Sequence, residues 1–384
     1  MINRDEPDKG EQLQELVILF LKLGTVAFGG PAAHIAMMRH EVVERRRWMD
    51  EQEFLDLMGA TNLIPGPNST ELAIHIGRVR AGWRGLLVAG VCFILPAALI
   101  VLVFAWTYAR YGSTPGAQDL LYGIVPVVIA VIVQALWGLL KTAVKGPLTA
   151  LVGVAALVLY LSGVPEIPLL AGGALVVVLA RGVRRKWGAG TGASAPLGVP
   201  LGLLAVSATS TGMVPLFLSF LKIGSLLFGS GYVLLAFLRS EFVGPGMLTQ
   251  RQLVDAVAIG QVTPGPVFTT ATFIGYLLEG VPGAIVATVG IFLPAFVFVV
   301  LTGPIIPRLR SSPIMSSFLD GVNVVSLALM AGVSWYLGRT AVVDPLTAML
   351  AIVALVLSYR FKINPAWLVL GGGVVGLCFK AVFG

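Results

Sequence analysis

Charge is what this sequence has least of. Only 12% of its 384 residues are Asp, Glu, Lys or Arg, against 57% hydrophobic ones. A soluble domain carries roughly 25% charged residues, so a soluble globular fold is excluded. Cysteine is nearly absent too. Cys92 and Cys378 both lie inside apolar runs, which rules out a disulfide framework. Histidine occurs only as His34, His40 and His75, without HExxH or another metal-ligand spacing. No GxxxxGK[ST] loop is present, so ATP is not the direct energy source. No metal or cofactor is expected, and no spacing recommends an intramembrane enzyme. The start, MINRDEPDKGEQLQE, lacks the basic region and small-residue cleavage site of a signal peptide, so the N-terminus is expected to be kept.

Long apolar runs fill the rest. Segments 86–108, 120–140, 284–302 and 314–337 have the length of a membrane-spanning helix, about 18–25 residues. A β-barrel would show alternating segments of about ten residues instead. The class is an all-α polytopic membrane protein with roughly 10–13 transmembrane segments. The net charge of +7 lies in short clusters between apolar runs, as orientation determinants do, and is no nucleic-acid signal.

The chain repeats itself. FLKLGTVAFGG at 20–30 returns as FLKIGSLLFGS at 220–230, and MDEQEFLDLMGATNLIPGP at 49–67 as LTQRQLVDAVAIGQVTPGP at 248–266. GWRGLLVAGVCFILPA at 82–97 returns as GVPGAIVATVGIFLPA at 280–295. The reading is a polar segment 1–15, a first membrane repeat 16–180, a linker 181–214, and a second repeat 215–384. The linker opens with RGVRRKW and contains a further candidate crossing at 197–213.

Equivalent loops carry unmatched charge. Arg78, Arg80 and Arg84 in the first half face only Glu279 in the second, while Arg360 and Lys362 have no basic counterpart in the first. Opposite bias in equivalent loops indicates halves of inverted topology. Counting 197–213 as a crossing moves most basic loop residues to the cytoplasmic side but leaves Arg45-Arg46-Arg47 outside. A re-entrant first or second segment would change that parity.

Pro65-Gly66-Pro67 and Pro264-Gly265-Pro266 interrupt apolar segments at equivalent places. Proline removes a helix hydrogen bond, and unpaired backbone at membrane depth survives only in protein or beside a wet cavity. Each triplet therefore predicts a discontinuous helix. Asn68, Ser69 and Thr70, and Thr269 and Thr270 in the second half, are suited to cap the next half-helix. Its free N–H groups attract anions. A packing kink is the other reading; two copies, each preceded by an amide (Asn62, Gln261), favour a site. Gly29-Gly30 and Gly229-Ser230 break the first segment of each half, for ligand approach or close packing.

Lys22 and Lys222 lie inside apolar stretches at equivalent positions. Intramembrane charge marks a pathway by default, and snorkelling to the interface is the alternative. Two such lysines would make a cationic spot for an oxyanion. Arg39/Glu41 and Arg239/Glu241 read as paired salt bridges or gates. Asp50-x-x-Glu53 and Thr249-x-x-Gln252 read as capping boxes. Glu71 and His75 share one helix face beyond the first triplet and have no charged counterpart in the second half, where Thr270 and Ile274 stand. That asymmetry fits a gate or a proton carrier.

These blocks resemble the chromate ion transporter (CHR) family in its long two-domain form. The resemblance rests on FLKLG…FGGP at 20–31, RHE…W…EF at 39–54, the first PGP with its Asn-Ser-Thr, and Gly-Gln-x-x-Pro-Gly-Pro at 260–266. The second half departs from the pattern at Ser230-Gly231 and at Gly244-Pro245-Gly246, which replaces the Arg45–Trp48 cluster. The resemblance implies an inner-membrane protein exporting chromate from the bacterial cytoplasm, driven by the membrane potential or proton gradient. The expectation is a secondary transporter of a divalent tetrahedral oxyanion, chromate first and sulfate second, with a passive anion channel as rival. The lipid bilayer is its surroundings, no nucleic-acid partner is expected, and a homodimer stays open.

Overall fold

The computed structural model describes residues 8–186, 212–228, 233–302, 312–361 and 363–383. The extra crossing at 197–213, and Gly229 and Ser230, therefore lie outside the described residues apart from 212–213. The described chain is helical throughout, with no strand among the described residues.

The first half contains α1 (Lys9–Val26), α2 (Gly30–Arg39) continuing as a π-helical turn (His40–Arg45), α3 (Glu51–Thr61) and α4 (Asn68–Tyr111). It ends with α5 (Pro115–Ala143), α6 (Pro147–Leu161) and α7 (Glu166–Lys186). The second half repeats the order: α8 (Met213–Leu226), α9 (Leu234–Leu238) with a π-helical turn (Arg239–Val243), and α10 (Gln250–Val262). A 3-10 turn (Val267–Thr269) leads into α11 (Thr270–Thr302), followed by α12 (Pro313–Ala341), α13 (Pro345–Phe361) and α14 (Pro365–Phe383). Proline opens α5, α6, α12, α13 and α14, where its missing N–H costs nothing. α3 and α10 start on caps the sequence announces: Asp50 accepts the Glu53 amide at 2.7 Å, and Thr249 and Gln252 form a reciprocal box. Among the described residues five helices are long and apolar enough to cross a bilayer, and α6, α8 and α13 are shorter apolar helices.

Two sharp reversals shape the core. α4 breaks at Ala81–Gly82 and α11 at Glu279–Gly280. The arms on either side fold back on each other. A side chain on Gly77 would collide with the Gly85 carbonyl, and one on Gly275 with that of Gly283. Further from the second bend, Thr272 meets Thr288 at 2.7 Å. Glycine at the contact lets the two arms touch backbone to backbone.

The proline triplets are also reversals. Asp255 on α10 accepts the Tyr108 hydroxyl at 2.7 Å, while Phe273 on α11 packs on the same ring at 5.2 Å between centroids. A straight run would separate these residues by more than one tyrosine can span. Each half thus holds re-entrant arms whose tips are the breaks in the sequence. At the opposite end of the first half, Trp48 lies between Arg46 (5.1 Å) and Arg80 (4.9 Å), and Arg80 pairs with Glu15 at 2.7 Å. Arg45–Arg47, the start of α1 and the α4 bend therefore share one end.

The halves interlock. α5 packs on α13 and α14 of the second half, and α12 packs on α6 and α7 of the first. Asp320 on α12 binds Lys145 (2.7 Å) and Arg181 (2.6 Å), and Asp344 accepts the Tyr122 hydroxyl at 2.5 Å. The long arms of α4 and α11 pack centrally: Arg78 donates to the Val299 carbonyl, and Phe296 fills the space beside Gly90. Contacts descend along α11 as they ascend along α4. That is the antiparallel sense expected of inverted halves.

Candidate functional site

The breaks of one half meet the proline turn of the other. Gly66 donates its N–H to the Leu227 carbonyl at 2.6 Å, and Gly265 donates to the Ala27 carbonyl at 2.9 Å. Leu227 and Ala27 are the equivalent residues just past α8 and α1. The crossing satisfies backbone groups that the breaks leave unpaired, as a low-dielectric surrounding demands. Only glycine fits here: Gly66 has φ +142°, and a side chain on it would collide with the Glu71 carboxylate. Gly265 has φ +88°, and a side chain on it would collide with that of Ala97.

The two turns differ in the residues beyond them. In the first half the helix cap is Pro67, so Asn68, Ser69 and Thr70 are the first helical residues and do not cap the helix as the sequence suggested. The amides of Thr70 and Glu71 close onto the Pro67 carbonyl at 2.8 and 3.0 Å. Those of Asn68 and Ser69 have no protein acceptor among the described residues. Asn68 donates its side-chain amide to Asn62 at 2.8 Å, which places both amides at the turn. Glu71 is wholly buried, and neither carboxylate oxygen has a partner among the described residues; Thr70 Oγ1 and His75 Nε2 are likewise unpaired among them. His34 joins this group. Its Nε2 lies 3.0 Å from the Ala27 carbonyl, its Nδ1 3.3 Å from Ser69 Oγ, and its ring packs edge-on against Phe93.

In the second half the equivalent hydroxyls are spent locally. Thr269 donates to the Pro266 carbonyl and Thr270 to that of Val267, both at 2.8 Å. Ser69 and Asn68 are replaced by Phe268 and Val267. Gln261 precedes this turn, half-buried, and its side chain makes no hydrogen bond among the described residues. Among the described residues, unpaired buried polar atoms just beyond a proline triplet occur on Asn68, Thr70, Glu71 and His75, with the Ser69 amide and His34 beside them.

The lysines are not brought together. Lys22 binds Glu41 at 2.8 Å, and Lys222 binds Glu241 in the same way. Each charge is neutralised within its own half, which argues against a shared cationic spot. Glu41 also holds Arg45 (3.1 Å) and Arg46 (3.4 Å), so Arg39 is not its partner. Arg39 instead clamps Glu44 and, at 2.6 Å, Glu51. Glu44 lies below the usual carboxylate range because His40 and Arg39 donate to it, and Glu51 because Arg39 does. Arg239 stacks over the Tyr336 ring at 3.9 Å rather than pairing with Glu241. The sequence expected pairs two residues apart; the reversals supplied partners nineteen apart, Lys22 to Glu41 and Lys222 to Glu241. Sequence reading also passed over His34. The available signal was its counterpart, Leu234: all of His34, Glu71 and His75 lack an ionisable twin. No cluster of His, Cys, Asp or Glu suited to a metal occurs among the described residues.

Comparison with known proteins places these features. The pattern of the family described as "Chromate transporter" matches residues 14–178 and again 214–377. The "Chromate transport protein" of Cupriavidus metallidurans is 34% identical over 376 residues, covering 95% of this chain and 92% of that protein. The "Probable chromate transport protein" of Synechococcus elongatus is 32% identical, covering 96% of this chain and 95% of its own. A "Chromate transport protein" of Pseudomonas aeruginosa is 32% identical over 94% and 91%. No solved structure matches. Matched over both of its halves, this multi-pass helical chain belongs to the chromate transporter family.

Proposed function

We propose that the chain is a secondary active transporter that exports chromate from the bacterial cytoplasm across the inner membrane, coupled to the proton gradient or membrane potential. One observation carries the reading: a buried Glu71 carboxylate beside Gly66, without a partner among the described residues, where the amides of Asn68 and Ser69 open the half-helix. A helix N-terminus with free amides is a site for an anion. An unpaired buried carboxylate there is costly and competes with a substrate anion for the same donors. The oxyanion binds when Glu71 holds a proton and leaves when the proton is lost. A dianion moving with one proton carries a net charge of −1, and an inside-negative potential drives it out by about 2.3 kcal/mol per 100 mV.

Orientation follows from charge. Arg45–Arg47, Arg78, Arg80 and Arg84 gather at the end that holds the α4 bend, which we assign to the cytoplasm. The reversal between α1 and α2 brings Arg45–Arg47 to that side, the outcome a re-entrant first segment would give.

Labelled chromate flux in everted vesicles, with sulfate as competitor, tests this. Uptake into such vesicles, collapsing with a protonophore and lost in Glu71→Gln, is the expected result. Flux that never accumulates against a gradient would mean a passive channel instead. Sulfate shares the charge and shape of chromate, and stronger sulfate flux would reassign the substrate.

A further inference from the structure

We infer that His34 is a proton-operated positioning residue that reverses the hydrogen bond of Ser69, making the first half's turn an anion site only when His34 is charged. This rests on the proposal that an oxyanion binds at the start of α4.

The geometry fixes the protons. The Ala27 carbonyl can only accept, and it lies 3.0 Å from His34 Nε2, so Nε2 carries hydrogen. A neutral imidazole then has a bare Nδ1, which lies 3.3 Å from Ser69 Oγ. Ser69 must donate to it. In that state the hydroxyl hydrogen points at His34, and only oxygen lone pairs face a neighbouring anion, which they repel. Adding one proton from water to Nδ1 turns the bond around. The imidazolium donates to Ser69 Oγ, and the hydroxyl hydrogen is free to donate to an oxyanion beside the Asn68 and Ser69 amides. One proton therefore supplies a positive charge and a new donor together. No bond other than those of the proton is made or broken.

The surroundings suit the role. His34 is 1% exposed, and Ser69 is 2% exposed. From α4 the ring is faced by Ser69 on the first arm, which also carries Glu71 and His75, and by Phe93 on the second. From the end of α1 it meets Ala27, whose carbonyl also accepts the Gly265 amide. That shared acceptor ties the switch to the second half's turn. The equivalent residues there, Leu234 and Phe268, can form neither bond.

The test is the KM for chromate in everted vesicles, measured downward from about pH 8 through the range in which a buried histidine gains its proton. In the wild-type protein KM should fall on acidification. The substitution His34→Gln keeps a donor for Ala27 but gains no proton, so KM at the acid end should rise about tenfold, the worth of one charge-assisted bond. Ser69→Ala should raise KM alike, and the double variant should lose no more than either single one. A wild-type KM profile in His34→Gln, or additive losses in the double variant, overturns the switch but leaves the transporter reading intact. Wild-type vesicles inert to chromate and to sulfate overturn both. A second measurement needs no variant to fold: nitrogen NMR of labelled histidine in the wild-type protein should show His34 as the Nε2–H tautomer at rest, and the Nδ1–H tautomer would refute the geometry.

Discussion

The two halves share a helix order and differ in what surrounds their re-entrant arms. In the second half α9 is buried throughout, and α10 packs on α5, α12 and α14. In the first half α3 packs substantially on α4 alone among the described elements, and its outer face, with Gln52, Leu55 and Asp56, is exposed. The repeated ion pair follows suit: the Lys22 side chain is 49% exposed and that of Lys222 is 13%. Polar chemistry is divided in the opposite sense. The uncovered half keeps unpaired groups at its turn, and the covered half spends its hydroxyls on its own backbone. Duplication supplied two equivalent frameworks; one became the support and the other carries the groups a ligand could use. In inverted repeats, unequal cover of equivalent surfaces is also what a state open to one side looks like.

The largest expected effect sharpens the chemical contrast. Glu71→Gln should lower gradient-driven chromate flux about 100-fold, the order of loss when an acid–base group is removed. Thr270→Val, at the equivalent position, should stay within about twofold, because its hydroxyl serves only the Val267 carbonyl. Similar losses in the two variants would break the comparison.

Cover is tested next. In a Cys92→Ser/Cys378→Ser background, Leu55→Cys should react with a water-soluble maleimide about tenfold faster than Val254→Cys, its buried counterpart, since access governs thiol labelling. Equal rates would mean that the difference in cover does not exist in the membrane.

Smaller still, Thr70→Val should raise the KM for chromate about threefold, and Thr269→Val should leave it unchanged. The lysines belong here too: Lys22→Ala should retain most flux, because its charge is already matched by Glu41. Transport lost with protein level and helicity intact would return Lys22 to the ligand site.

The least effect concerns the exposed clamp on Glu51. Arg39→Ala should lower the melting temperature only slightly, because exposed ion pairs are screened by water and contribute little. Glu44 and Glu51 sit below the ordinary carboxylate range, so the clamp's contribution is present above that range and is lost as pH falls through their depressed values. A melting temperature of Arg39→Ala that parallels the wild type at neutral pH and in acid would show the clamp contributes nothing.

Much of this was legible in the residues. Local rules act within a few positions, so the proline turns, the capping boxes at Asp50 and Thr249, and the doubled order could be read directly. Lys22 and Glu41 could not be matched, because nothing local makes residues nineteen apart neighbours. The same holds for His34: its counterpart Leu234 marked it as unusual, but only folding set its two nitrogens against Ala27 and Ser69.

By itself the sequence determined a membrane-embedded helical protein of two related halves, broken at matched prolines, because hydropathy, helix-breaking and repetition are properties of adjacent residues. Tertiary structure alone decided that the turn of each half plugs the break of the other, that the lysines are neutralised at home, and that the buried Glu71 and His75 stand unpaired beyond the first half's turn among the described residues. Those outcomes depend on which backbone groups the reversals leave unpaired and on which surfaces α5, α12 and α14 reach, and no stretch of chain encodes that locally.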